Sequence, residues 1–147
     1  MTKSASILLV EDNPADVVLM GEAIADRDIE LHVVGGGADA FAFLTGQRPY
    51  QGQRRPDLIV LDLNLPDMSG KDVLAGIKSD LDMRSIPVVI FSSSRARSDV
   101  SETYELGANS YMQKPLELES YRDAVRSMEH YWFSVAHLPP TPVMGHA

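Results

Sequence analysis

Short apolar runs alternate with longer amphipathic stretches along this chain. Ile7–Val10, Leu31–Val34, Leu58–Leu61, Val88–Phe91 and Ser110–Gln113 are the compact runs. Runs of four with little alternation suit strands buried on both faces of a parallel sheet. The stretches between them predict helices. Asn13 followed by Pro14 reads as an N-cap with proline at the first helical position. Val17, Met20 and Ile24 then supply an apolar face. Asp39–Leu44 predicts a short helix with Phe41 and Leu44 inward, and Gly70–Lys78 predicts another with Val73, Leu74 and Ile77. Asp99, with Glu102 three residues on, has the form of a capping box and starts a fourth helix that Gly107 ends. After Pro115, Leu118, Tyr121, Val125, Met128 and Trp132 recur at threes and fours. Strict alternation of strand and helix implies a parallel sheet covered on both faces, with right-handed crossovers.

Two segments fall outside this alternation. Gln47–Pro56 is polar, holds two prolines and three arginines, and reads as a long exposed loop. Residues 136–147 form a proline-rich tail unable to hold a fold of its own, which leaves 1–135 as one domain. The length of 147 residues is ordinary for one domain with a real core. With 13 basic against 21 acidic side chains, the net charge of −8 argues against nucleic acid and against an anionic membrane surface. No apolar run approaches the ~20 residues of a membrane span, and the first residues lack a signal peptide's apolar region. Cysteine is absent, which excludes disulfides, thiolate catalysis and cysteine-held metal sites. A cytoplasmic protein is expected, with chemistry run by carboxylates, hydroxyls or lysine.

Ligands of open parallel sheets bind beyond the carboxyl ends of the strands. The first run is followed by Glu11 and Asp12, the third by Asp62, the fourth by Ser92 and the fifth by Lys114. Any one of these residues alone is more often a turn former or a helix cap. Together they make a receptor for a phosphoryl group. Packed carboxylates repel unless a divalent cation binds them, and oxygen donors are what Mg²⁺ takes. One carboxylate would be the nucleophile, and an ammonium and a hydroxyl would balance the incoming charge.

The strings ILLVEDNP, LIVLDLNLPDMSG, IPVVIFSSS and GANSYMQKP, in this order over residues 5–133, resemble the receiver domain of two-component response regulators. That resemblance implies a flavodoxin-like (βα)5 doubly wound parallel sheet of strand order 2-1-3-4-5. It makes Asp62 the phospho-acceptor. Asp12, Asp62 and the backbone carbonyl of Asn64 would bind Mg²⁺ (or Mn²⁺), with Glu11 joining through water where many receivers have Asp. Ser92 and Tyr111 would be the switch pair, and Lys114 would bind the phosphoryl oxygens. The Lys114–Pro115 bond would be cis, a tolerable state for X-Pro. Asn64 and Ser94 stand where receivers tune acyl-phosphate lifetime. From the residues alone, Tyr111 reads first as an ordinary core aromatic, and Ser92 could cap the following segment, although Asp99 is the better cap.

DLNLP together with the polar 47–56 segment resembles the stand-alone receivers that partner phytochrome-type histidine kinases, although that segment also reads as a neutral loop. The residues after the last helix are too few and not basic, so no DNA-binding output is expected. Output would be protein contact, a phosphorelay step or a phosphate sink. Tyr131, Trp132 and Phe133 are adjacent on the last helix and cannot all face one core. At least one should project outward, which predicts a homodimer through this region. The competing class is a haloacid-dehalogenase-like phosphatase, which needs a second carboxylate two residues after the nucleophile, where this chain has Asn64. A third is a fixed adaptor that never takes phosphate.

Overall fold

A computed structural model of the chain describes residues 3–140. Five strands, β1 (Ala5–Val10), β2 (Ile29–Val34), β3 (Leu58–Leu61), β4 (Val88–Ser92) and β5 (Ser110–Gln113), form one parallel sheet in the order β2-β1-β3-β4-β5. The expected flavodoxin-like order is therefore observed. The helices α1 (Pro14–Ala23), α2 (Gly37–Thr45), α3 (Gly70–Ser79), α4 (Arg97–Glu105) and α5 (Leu118–His130) alternate with them. The apolar runs divide by parity. Leu8, Val10, Ile59, Leu61, Val88 and Ile90 face α2 and α3, whereas Ile7, Leu9, Leu58, Val60, Val89 and Phe91 face α1 and α5. Each strand residue thus meets a covered face, which is why no alternation survives in the sequence.

Register aligns the chemistry. Val10 lies opposite Leu61, Leu61 opposite Ile90, and Ile90 opposite Tyr111. The residues that follow in each strand, Glu11, Asp62, Ser92 and Lys114, therefore emerge along one edge within a residue or two of the same level.

The helix starts follow two different physical routes. Asn13 caps α1 with its side chain, accepting from Ala15 N–H at 2.9 Å, and Pro14 follows as expected. Gly36 at the start of α2 has no such side chain. Asp67, thirty residues on, supplies it, taking the N–H groups of Gly37 and Ala38, each at 2.9 Å. Those bonds hold the Asp67 carboxyl below its ordinary value. They also fasten the loop after β3 to α2.

Several expectations are corrected. In α2 Phe41 and Leu44 do pack inward, half-buried against the core, but Ala40 and Phe43 lie deeper. α4 starts at Arg97 with Ala96 as an N-cap that makes no side-chain bond, so Asp99 is not the cap. Its carboxylate goes instead to Lys71 Nζ at 2.6 Å and to Ser94 Oγ at 2.5 Å, and Glu102 joins Lys71 as well. An ammonium on α3 outcompeted the backbone for both acids. Leu118 belongs to the α5 stripe by spacing but is 66% exposed.

The 47–56 segment is more tied down than its polarity implies. Arg54 donates to the carbonyls of Lys3 and Ser4, Arg55 donates to the Asp82 carbonyl, and Tyr50 packs tilted against Phe43 with ring centroids 5.5 Å apart. After α5 the chain makes a π-helical turn, Tyr131–Val135. That widened turn places Trp132 and Phe133 half-buried against the α1–α5 face and leaves Tyr131 52% exposed. Of the tail, residues 141–147 lie outside the described residues. Among the described residues no helix is long and apolar enough to cross a membrane.

Candidate functional site

The carboxyl edge of the sheet opens into a cleft of ≈ 690 Å³. Glu11, Asp12, Asp62, Asn64 and Lys114 line it, together with Asp16, Ser93 and an apolar rim that includes Pro14, Leu116 and Leu118. Asp62 and Glu11 are buried and Asp12 is exposed. One carboxylate oxygen from each of Glu11, Asp12 and Asp62 lies within 4.8 Å of the others. Opposed oxygens around Mg²⁺ stand about 4.2 Å apart, twice its bond length. The three acids therefore fit one small divalent cation with little movement, and their hard oxygens suit it.

Lys114 ties two of these acids, Glu11 and Asp62, to Asp16. Its Nζ donates to Glu11 Oε1 at 2.5 Å, to Asp16 Oδ2 at 3.1 Å and to Asp62 Oδ2 at 3.4 Å. Burial pushes the ammonium toward losing its proton, but the hydrogen bond to Glu11 and the charges of Asp62 and Glu11 outweigh it, and its pKa is raised. Asn64 N–H donates to Asp62 Oδ1 at 3.4 Å, which steadies the free carboxylate.

Glu11 is pushed up to about 7, first by burial and then by the charge of Asp62, against the hydrogen bond from Lys114. The folded chain thus holds this proton more tightly than the unfolded one. Glu11's contribution to stability is expected to fall as pH rises from its ordinary 4.5 to about 7. Thermal melting of chelator-treated protein across that window checks the sign. Mg²⁺, which requires ionised ligands, should restore stability most at the upper end. A melting temperature that does not change across the window would show Glu11 ionised throughout.

Of the expected switch pair, neither Ser92 nor Tyr111 lines the cleft. Ser92 is fully buried, and its Oγ accepts the N–H of Ser94 at 3.2 Å. Tyr111 is half-buried against the α2–α3 core, and its hydroxyl donates to the Ser94 carbonyl at 2.9 Å. Ser94 is thus the hub of both, and its own hydroxyl is fixed by Asp99. The Lys114–Pro115 bond is not cis: the cis bond among the described residues is Arg48–Pro49. Trans is the cheaper isomer for X-Pro by about 0.5–1 kcal/mol, and Lys114 reaches all three carboxylates without the change.

Asp16, Lys71 and Asp99 were not expected at this edge. Asp16 carried one signal, its place one helical turn after Asp12; Lys71 carried none.

A family model describing the response regulator receiver domain matches residues 7–126. The chain belongs to this family. It is 42% identical over 135 residues to response regulator Rcp1 of Synechocystis sp., the match covering 90% of this chain and 92% of Rcp1. The receiver fold superposes on phosphorylated RcpA, a cyanobacterial phytochrome response regulator, with a TM-score of 0.90 at 42% identity over 92% of this chain and 99% of RcpA. The Mn²⁺-bound form of Rcp1 gives 0.88 at 40% identity, with 92% and 99% covered.

Proposed function

We propose that this receiver takes a phosphoryl group onto Asp62 from the phosphohistidine of a phytochrome-type histidine kinase, with Mg²⁺ in the acidic pocket. The observation that carries the reading is the Lys114 ammonium 3.4 Å from an oxygen of the buried Asp62, which also shares a cation-sized cluster with Glu11 and Asp12. The phytochrome class rests on the kinship with Rcp1 and RcpA. Residues 1–135 would be the receiver and 136–147 an appendage, acting in the cytoplasm where the kinase holds ATP.

In the transfer, an ionised Asp62 oxygen attacks phosphorus as the P–N bond breaks. The bonding pair leaves with the imidazole nitrogen, and Asp62 has no proton to lose. Asp12, Asp62 and the Asn64 carbonyl would hold the cation, with Glu11 joining through water, and the cation when bound neutralises charge on the phosphoryl oxygens. Lys114 offers the same oxygens a donor. Asn64, two residues after Asp62, cannot relay a proton, which disfavours a phosphatase. The apolar rim suits a protein donor: Leu116 is 94% exposed beside the pocket, a position a docking helix would cover.

The acquired phosphate carries roughly −1.5 to −2 charge. Ser92 would leave Ser94 N–H to bond it, and Tyr111, released by the shifted Ser94 carbonyl, would move with it. Asn64, at the cleft, and Ser94, which holds Ser92 and Tyr111, would set its lifetime. The test is phosphotransfer from a light-regulated histidine kinase with illumination as the variable. Asp62-dependent labelling that follows the kinase's light state is expected, and no labelling in either state would refute the assignment.

Output would run through protein contact, including a homodimer. Tyr131 and Val135, 52% and 57% exposed, form an apolar end to the last helix, and Trp132 and Phe133 flank it. Light scattering should give a mass that rises toward a dimer with concentration, and Tyr131→Glu should hold the protein monomeric. A concentration-independent monomer, phosphorylated or not, would end the idea.

A further inference from the structure

A lysine ammonium has three N–H donors, and three carboxylates take those of Lys114: Glu11 at 2.5 Å, Asp16 at 3.1 Å and Asp62 at 3.4 Å. Two of the three, Glu11 and Asp62, belong to the group of acids that fits a cation. Asp16 lines the same cleft but is not one of that group, and it stands on the first turn of α1.

An acid at this helix position commonly turns back to cap the N–H of the N-cap residue. Here that N–H, of Asn13, donates to Glu11 Oε2 at 3.2 Å. The Asn13 side chain in turn takes the N–H groups of Ala15 and Asp16. The start of α1 is satisfied without the Asp16 carboxylate, which crosses to a lysine 98 residues away. The two side chains are 18% and 10% exposed, so water screens the pair weakly.

Building on the assignment of Asp62 as phospho-acceptor, we propose that Asp16 is a positioning residue for phosphoryl transfer. With Glu11 it anchors the Lys114 ammonium at two points and leaves the third N–H aimed at Asp62, where the phosphoryl oxygens arrive. A flexible lysine held by one bond would swing about it. Held by two, its donor is in place before the charge develops, and no reorganisation is needed at the moment of reaction.

The test uses the full chain with acetyl phosphate and Mg²⁺. An Asp62 oxygen attacks phosphorus, the P–O bond to the acetyl group breaks, and acetate leaves with the electron pair. Asp16→Ala should slow labelling about tenfold, the loss of one charge-assisted hydrogen bond, and Asp16→Asn about threefold. Mg²⁺ affinity, by calorimetry, should not move, because Asp16 is not a ligand. A second readout needs neither metal nor donor. The chain has four lysines, so the ¹H–¹⁵N signal of the Lys114 ammonium can be assigned by its loss in Lys114→Arg. That signal should be sharp in the wild type and lost to fast exchange in Asp16→Ala. If the alanine variant fails to fold, Asp16→Asn, of equal volume, carries both measurements. An unchanged labelling rate, or a fall in Mg²⁺ affinity that accounts for the slower rate, overturns the proposal. Failure of the wild type to label is a different result, which refutes the assignment of Asp62 itself.

Discussion

Asp62→Asn is expected to abolish covalent labelling by any phosphodonor while raising the melting temperature of the metal-free protein. The two effects have one cause. Asp62 is buried with Glu11 a few ångströms away, and its charge helps push the Glu11 carboxyl up to about 7. That repulsion is a standing cost of the unliganded fold, since like charges in a shared site oppose ionisation. An amide removes the charge, keeps the volume, and has no nucleophilic oxygen. Lys114 keeps its two other partners, Glu11 and Asp16, so it is not stranded. Lys114→Ala is the contrasting case. It leaves the nucleophile but strips the donor from the developing charge, and should slow labelling roughly 10²–10³-fold. It should also destabilise, by leaving three acids without their cation. Labelling by radioactive acetyl phosphate and a thermal melt in chelator measure both halves. If Asp62→Asn still took label stoichiometrically, another residue would be the acceptor. A lowered melting temperature would show that Asp62 stabilises the empty pocket through Lys114 more than it strains it.

The acidic edge was legible because strand ends are legible. Four-residue apolar runs locate the sheet, parallel order turns their last residues into neighbours, and Glu11, Asp12, Asp62 and Lys114 follow without further geometry. Residues that work across the fold left weaker traces. Lys71 gathers Asp99 and Glu102 from α4, a choice between an ammonium and a backbone cap that no local pattern decides. Asp67 caps a helix thirty residues earlier because Gly36, at the N-cap, has nothing to offer. Tyr111 reads as a core aromatic from the residues and as a switch from the resemblance. It packs half-buried against the core with its hydroxyl on the Ser94 carbonyl, a contact that spacing within the strand does not reveal. The isomer of the Lys114–Pro115 bond is not written in that dipeptide, since the energy difference between the two is smaller than one hydrogen bond in the cleft.

The loop that carries Asp62 is held from behind by a residue without a side chain. A Cβ on Gly70 would lie 2.3 Å from the Asp62 carbonyl oxygen and 2.6 Å from the Leu63 Cα. Both are backbone atoms, so no rotamer change relieves the contact. Gly70 N–H also donates to the Leu63 carbonyl at 2.9 Å, and Ser69 beside it bridges to Asn64. Gly70→Ala must therefore push α3 away from β3 or push the Asp62 backbone toward the cleft. Its expected cost is about 3 kcal/mol or more, the upper end for overpacking. Labelling should fall with it, because Asp62 moves relative to Lys114 by a fraction of a bond length and transfer depends on that placement. Gly21→Ala is the matched control. It lies inside α1 with nothing within 4 Å of an added Cβ. There alanine should stabilise by about 0.5–1 kcal/mol through helix propensity and a less disordered unfolded chain. Urea unfolding of the two variants, with labelling rates measured beside it, separates close approach from propensity. Equal stability of the two would show that the β3–α3 loop gives way freely. Normal labelling in Gly70→Ala would further mean that the position of Asp62 is set from the cleft side, by Lys114 and Asn64, rather than by the packing beneath it.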